Sequence, residues 1–379
     1  MLIYIVKPGD DIDSIASRFG VPTDRVIYVN QLDYPYRLAV GQALLITFET
    51  IISGRNVISN GFAYPFISPW VLGQTLPFLD ELSVFSYGFT TGGELVLPAL
   101  PTEWMINDAI SEGTKPVLTL TPFGPDGQFS NYLIHRVLSD TAARNRLIRN
   151  LYETVLNQGY QGVNIDFEFI LAEDRDRFTE FVRDVTYAVN ELGYEVTVDL
   201  APKTSADQPG VLYEGKDYPA LGAAADRVLI MTYEWGYTYG PAMAVAPINN
   251  VREVLDYAVT EIPREKISMG VPNYGYDWKL PYVRGESKAT TIGNVEAIQI
   301  AMRNDSRILY DETAQSPYFS YVNEGITHEV WFEDARSMLA KYRLVREYGL
   351  HGIGCWQIMQ LFRNMWIVAQ GDIEGMEII

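Results

Sequence analysis

Cysteine is almost missing from this chain: Cys355 is the one thiol in 379 residues. A lone cysteine excludes an internal disulfide framework and a cysteine-built metal site. Histidine is nearly as scarce, and His135, His328 and His351 are scattered, with no H-E-x-x-H or comparable ligand spacing. Neither a metal nor a cofactor is expected. The chain also lacks a G-x-S-x-G elbow, a Walker loop and a G-x-G-x-x-G turn. Basic residues are in deficit, 29 Lys and Arg against 48 Asp and Glu, for a net charge of −19. Such a surface repels phosphate backbones and anionic lipid, so neither nucleic acid nor membrane is an expected partner. Long apolar runs are missing too. The longest charge-free stretch, Asn56 to Leu79, is interrupted by Pro65, Pro69 and Pro77 and is no membrane span. No secretory signal opens the chain, because Met1 to Val6 is short and Lys7, Asp10 and Asp11 follow at once. The expectation is a soluble protein, cytoplasmic in origin or in a processed form.

What the chain has is apolar material for a large core, 47% hydrophobic against 20% charged residues. Its length suits two domains, or one barrel of about 250 residues or more with a small module. Aromatic residues abound: 25 Tyr, 16 Phe and 7 Trp. Their flat faces and polar edges suit sugar rings, and they fill cores just as readily. Residues 1–48 carry their own punctuation. Leu2 to Val6 reads as a strand and Lys7-Pro8-Gly9-Asp10 as a turn. Asp11 is placed to cap a short helix with Ile12, Ile15, Ala16 and Phe19 at helical spacing. Gly20-Val21-Pro22 ends it, Thr23 is placed to cap a second helix towards Asn30, and Ala43 to Ile46 is the closing strand. This β-α-α-β order, with K-P-G-D, Asn30-Gln31-Leu32 and Gly41-Gln42, resembles a LysM domain. The resemblance implies that two loops, around Gly9, Asp10, Asp11 and Ile12 and around Leu32–Tyr36, cradle N-acetylglucosamine in peptidoglycan or chitin.

From about residue 54 strands and helices alternate. Strands are expected at Asn56–Gly61, Leu82–Tyr87, Pro116–Thr121, Gly162–Phe167, Glu195–Leu200, Arg227–Tyr233, Lys266–Pro272 and Gly352–Gln357. Amphipathic helices fall between several of them, at Ala142–Asn157, Arg175–Leu192 and Val251–Glu261. Eight such units predict an α/β fold, a (β/α)8 TIM barrel over residues 54–379. About 80 residues separate the last two strands, enough for an inserted α+β subdomain near 279–331, followed by a crossover helix at Glu333–Tyr348.

Barrel enzymes carry their reactive groups at the C-terminal ends of strands. The fourth strand reads Gly162-Val163-Asn164-Ile165-Asp166-Phe167-Glu168. Period-two alternation puts Asn164, Asp166 and Glu168 on one face and the apolar residues on the other. The apolar set packs under helices, so the acids point into the barrel mouth, where burial is costly without partners or a role. A buried salt-bridge cluster is the bland alternative. Carboxylates about 7 Å apart along a strand do not titrate alike, because the ionised one raises the other. One protonated acid beside one carboxylate suits glycosidic cleavage, in which an alkoxide leaves poorly without a proton. Spacing alone leaves the second group open as base, nucleophile or orienting residue.

G-V-N-I-D-F-E in this strand, M-T-Y-E in the sixth and a tryptophan closing the eighth together resemble glycoside hydrolase family 18. The resemblance implies that Glu168 is proton donor and later base, Asp166 orients the substrate acetamide, and Tyr233 hydrogen-bonds the acetamide oxygen. Trp356 would floor the −1 subsite. Gln161 and Asn164 depart from the aspartates common in chitinases, and Glu234 replaces the usual aspartate after the tyrosine. The N-I-D-F-E and Y-E-W variants, with Pro317–Tyr321 and His328–Asp334, resemble the spore-cortex-lytic N-acetylglucosaminidase branch. That branch implies a retaining, substrate-assisted hydrolase of peptidoglycan, placed in the spore coat, cortex or cell wall of a spore-forming bacterium. A chitinase or chitooligosaccharide hydrolase and a non-catalytic glycan-binding barrel are the rival readings. Asn164, Glu234, Tyr64, Tyr87, Tyr274 and Trp278 lie at or beyond strand ends and are candidates to line the substrate cleft, with core or rim packing as the alternative.

Overall fold

The computed structural model describes residues 1–48, 57–124 and 127–379. The N-terminal unit is β1 (Leu2–Ile5), α1 (Ile12–Phe19), α2 (Thr23–Asn30) and β2 (Ala43–Ile46), with β1 antiparallel to β2. Asp11 caps α1, its carboxylate accepting from the Ser14 amide at 2.8 Å. Thr23 does not cap α2. It is the first helical residue after Pro22, and its hydroxyl donates to Asp13 instead. Buried Asn30 ties α2 to β2: its side chain donates to the carbonyl of Leu45 and accepts from the Leu45 amide.

The chain continues as β3 (Ile58–Ala63), α3 (Pro69–Thr75), β4 (Glu81–Phe89), β5 (Leu95–Val96), α4 (Glu103–Ser111), β6 (Lys115–Leu120), α5 (Asn131–Ser139) and α6 (Thr141–Gln158). Then come β7 (Gly162–Ile165), α7 (Arg175–Asn190), β8 (Glu195–Leu200), α8 (Tyr218–Ala224), β9 (Arg227–Ile230), α9 (Ile248–Glu261) and β10 (Ile267–Pro272). An excursion follows: β11 (Gly275–Leu280), β12 (Thr290–Ile292), α10 (Asn294–Arg303), β13 (Leu309–Asp311), β14 (Ser316–Asn323) and β15 (Ile326–Trp331). The chain ends with α11 (Ala335–Tyr348), β16 (Gly352–Trp356) and α12 (Arg363–Gln370). Among the described residues no helix is long and apolar enough to cross a membrane.

Parallel pairing runs β3-β4-β6-β7-β8-β9-β10-β16 and returns to β3, which closes the eight-stranded barrel. Each strand falls where its Val/Ile/Leu run predicts, although Asn56, the expected first residue of the first strand, and residue 54 lie outside the described residues. The bottom of the barrel is filled by Arg227, whose guanidinium meets Glu81 at 2.5 Å, Glu195 at 2.9 Å and His351 at 2.8 Å. The inserted subdomain is a five-stranded antiparallel sheet, β12-β11-β15-β14-β13, with α10 beside it. It begins at Gly275, ahead of the expected position 279, because β11 pairs with β15 from Tyr276 onward.

The N-terminal unit is not hung on a free tether. Ile3, Val29, Ala43 and Leu45 belong to the same apolar core as Met365, Trp366, Ile373 and Met376 of the barrel domain. The C-terminal tail lies along β1, with backbone bonds from Ile3 to Glu377 (2.8 Å), Ile5 to Ile379 (2.8 Å) and Ile379 to Ile3 (2.9 Å). Gln31 donates to the Leu361 carbonyl at 3.0 Å, and the Arg363 guanidinium sits 3.9 Å over the Tyr28 ring. The subdomain joins in through the Ile308 amide, which donates to the Val40 carbonyl at 2.8 Å.

Candidate active site

Alternation along β7 and the residues after it works as the sequence implies. Val163, Ile165 and Phe167 are fully buried on the outer side, where Phe167 stacks on Phe89, Phe178 and Phe181. Asn164 and Asp166 are buried on the inner side, and Glu168 is half-buried. Burial raises the Glu168 carboxyl to about 8, helped by the charges of Asp166 and Glu234 and opposed by Lys216. Asp166 is raised as well, by burial and by Asp199, against the pull of Lys216. Its Oδ1 has no hydrogen-bond partner. Glu168 therefore carries its proton at neutral pH, within electrostatic reach of a second acid with an unused acceptor oxygen.

The ends of other strands complete the mouth. Tyr233 follows β9, and its ring lies against β10 at Gly270, where a Cβ would stand 2.8 Å from the ring. The charges of Asp199, Asp166, Glu168 and Glu234 all act on its phenol, which burial holds far above the usual tyrosine range. Trp356, at the end of β16, packs 4.9 Å from Phe85 and 6.1 Å from Tyr64. Tyr64 feels the charges of both Asp166 and Glu168 and stacks 5.1 Å from the exposed Phe66. Glu234 has a left-handed backbone, φ 68°, a conformation that costs a non-glycine residue about 1 kcal/mol or more. Its carboxylate accepts from Tyr274 at 2.5 Å and Tyr276 at 2.9 Å, so Tyr274 reaches the site through Glu234.

Three expected cleft residues lie elsewhere. Tyr87 is buried on the outer side of the barrel, its hydroxyl bonded to Thr102, Tyr160 and Gln158. The cause is a register shift between Val84 and Tyr87, which turns β4 over after the inward-facing Phe85. Trp278 is 1% exposed, fills the core of the insertion and donates to the Gly240 carbonyl at 2.9 Å. Asn164 is wholly buried below Asp166, where its amide donates to Asp199 at 2.7 Å rather than to anything in the cleft. Two buried groups that the sequence reading passed over, Asp199 and Lys216, lie here. Asp199 was legible: in Glu195-Val196-Thr197-Val198-Asp199-Leu200 the same alternation turns Thr197 and Asp199 inward.

In the N-terminal unit, Gly9 is exposed with φ 87°. Asp10 holds its own loop, accepting from the Lys7 amide and the Tyr4 hydroxyl at 2.7 Å each. Asp11 is engaged as the helix cap, and Ile12 faces the unit's core. On the facing loop, Tyr34 is 85% exposed and edge-on to Tyr36. Among the described residues, His135, Glu173 and Asp174 bring metal-type donor atoms together. Asp174 already accepts from His135 at 2.9 Å and Arg177 at 3.1 Å, which makes the group an ion-pair cluster.

Comparison with known proteins places this geometry. The model of "Glycosyl hydrolases family 18" matches residues 117–360, and that of the LysM domain matches residues 4–47. The "Cortical fragment-lytic enzyme" of Bacillus subtilis (strain 168) is 37% identical, over 97% of this chain and 97% of its own. The crystal structure of the Bacillus megaterium QM B1551 spore cortex-lytic enzyme SleL superposes with a TM-score of 0.91 at 32% identity, covering 100% of this chain and 98% of that one. The Bacillus cereus SleL structure gives 0.81 at 37% identity, with 100% and 87% covered. A closed parallel barrel with its acids at the end of the fourth strand, matched by that family's model over most of its length, leads to one assignment: the chain belongs to glycosyl hydrolases family 18, with a LysM domain at its N-terminus.

Proposed function

We propose that this enzyme hydrolyses β-1,4 bonds after N-acetylglucosamine in peptidoglycan, with spore cortex or its fragments as substrate, by a retaining, substrate-assisted route. The observation that carries the reading is Glu168, a carboxyl raised to about 8 beside the buried Asp166. A protonated Glu168 delivers its proton to the departing glycosidic oxygen, which no free alkoxide could leave without. The substrate's own acetamide oxygen then attacks the anomeric carbon and closes an oxazolinium ring, one of the known exceptions to the two-carboxylate scheme. Asp166, through its unpartnered Oδ1, accepts from the acetamide N–H, and Tyr233 donates to the acetamide oxygen. Both hold the nucleophile in line, and the Asp166 carboxylate offsets the positive charge that develops on the acetamide. In the second step Glu168, now ionised, takes a proton from water as the water oxygen bonds to the anomeric carbon, and the oxazolinium C–O bond breaks to restore the acetamide. Trp356, with Phe85 and Tyr64 around it, supplies an apolar face for the sugar ring.

The choice of cortex peptidoglycan rests on relatives whose names specify cortical fragments and spore cortex. The same relatives support a spore location. The LysM domain would hold the glycan by N-acetylglucosamine. The test is a mass-spectrometric digest of cortex fragments and chitooligosaccharides with wild type and Glu168→Gln. Cortex products with reducing-end N-acetylglucosamine, lost in the variant by at least about 10²-fold in rate, are expected. Cleavage of chitooligosaccharides alone would move the substrate to chitin, and intact glycans in every digest would refute hydrolysis.

A further inference from the structure

Two buried groups beneath the acid pair take no part in the chemistry above. Asp199, near the C-terminal end of β8, is 2% exposed, and Lys216, between β8 and α8, is 1% exposed. A lysine at such depth requires a counter-charge. Its Nζ donates to the Asp199 backbone carbonyl at 2.7 Å and lies 5.2 Å from the centre of the Phe178 ring. The Asp199 carboxylate accepts from Asn164 at 2.7 Å, and the register that sets Ile165 opposite Val198 carries Asp166 and Asp199 forward side by side.

The position of Lys216 is built rather than incidental. Gly215 passes the loop beyond Glu168 so closely that a Cβ there would stand 2.4 Å from the Ile170 carbonyl oxygen. Lys203 donates to the Lys216 carbonyl at 3.0 Å from below. Asp217 caps α8 through the Ala220 amide at 3.0 Å and pairs with Arg175, which fixes the next residue of the chain.

We propose that Lys216 is a positioning residue supplying the counter-charge for the Asp166, Asp199 and Glu168 carboxylates. This rests on the hydrolytic reading of the site and deepens it. Asn164 gives Asp199 a hydrogen bond but no charge. Three acids would otherwise share one water-poor pocket, and the state needed for catalysis, Glu168 protonated and Asp166 ionised, would give way to a doubly protonated one. The groups facing this centre are Asp166 and Glu168 beyond β7, Asp199 on β8, Tyr233 and Glu234 beyond β9, and Tyr64 beyond β3. The charge of Lys216 lowers Asp166, Asp199 and Glu168 alike, against burial. Those three acids in turn raise Lys216 against its own burial.

The test uses full-length Lys216→Met, Asp199→Asn and the double variant, with two readouts. One is kcat/KM against pH on a methylumbelliferyl diacetylchitobioside. The other is a carbon-13 NMR titration of the Asp and Glu carboxyls, which needs no turnover. Lys216→Met is expected to move the Glu168 titration and the alkaline limb up by about one pH unit or more. Asp199→Asn, nearly isosteric, is expected to move both down, and the double variant to return towards wild type because one charge of each sign is gone. Titrations and limbs that stay in place in both single variants, whatever the loss of rate, would overturn the proposal. If Lys216→Met does not fold, the downward shift in Asp199→Asn decides the matter. Displaced titrations in a protein that cleaves no glycan would defeat the hydrolytic reading while leaving Lys216 in its place.

Discussion

Glu168 keeps its proton because ionising it would place a charge in a half-buried site beside Asp166, and that state is visible outside catalysis. The folded carboxyl is raised to about 8, whereas the unfolded one has an ordinary value near 4.5. Above that ordinary value the unfolded chain loses the proton and the folded chain does not, so the group weakens the fold progressively from about pH 4.5 to 8. Glu168→Gln is therefore expected to melt above wild type at pH 8 and level with it at pH 4, as differential scanning calorimetry would read. The rate should fall as pH rises through about 8, where the acid is lost. Tyr233→Phe, which removes the donor proposed for the acetamide oxygen, is expected to lower kcat by about 10²-fold with a smaller change in KM. The inward placement of Asp166 and Glu168 was legible because period-two alternation turns them in at the end of the fourth strand, whereas Tyr233 and Trp356 were suggested by the family resemblance and not by periodicity. Lys216 was not legible, since nothing in Gly215-Lys216-Asp217 reveals that this loop runs beneath the end of β7.

The barrel strands were legible as elements because burial on both faces leaves near-continuous apolar runs, and Glu195–Leu200 is found with the bounds that its pattern predicts. What alternation misses is a change of phase inside an element, as in β4, where one irregularity sends Tyr87 outward after Glu81, Ser83 and Phe85 have pointed in. It also misses pairing between distant segments. Nothing in Glu377-Ile378-Ile379 marks it as a strand partner, yet it lies parallel to β1 at Ile3. A chain ending at Met376 is expected to lose the backbone bonds that hold the Ile3 and Ile5 amides. Amide exchange at those two positions should then quicken by at least about tenfold, while the Leu45 amide, held by Asn30, stays protected. Unchanged exchange at Ile3 and Ile5 would show that the tail contributes no protection.

At the scale of the whole molecule, an apolar core runs from one side of the LysM unit into the barrel domain, beside a smaller core that is the LysM unit's own. The boundary near residue 48 in the sequence is therefore crossed in packing. Heat should unfold the two parts together, in a single calorimetric transition. Removing residues 1–48 is expected to expose Met365, Trp366 and Met376, lower the melting temperature of the barrel by several degrees and promote association. Two separate transitions in the intact chain would show that the units are independent. The shared core also bears on how such an enzyme works on an insoluble polymer. A binding module on a slack leash lets the blade wander over a radius and cut wherever it lands. Here anchor and blade are the fixed jaws of one pair of callipers. On the function proposed above, each grip of the anchor would set one stretch of strand at a fixed offset before Glu168, and the rhythm of cuts along an immobile glycan would become a measure of the enzyme's own body.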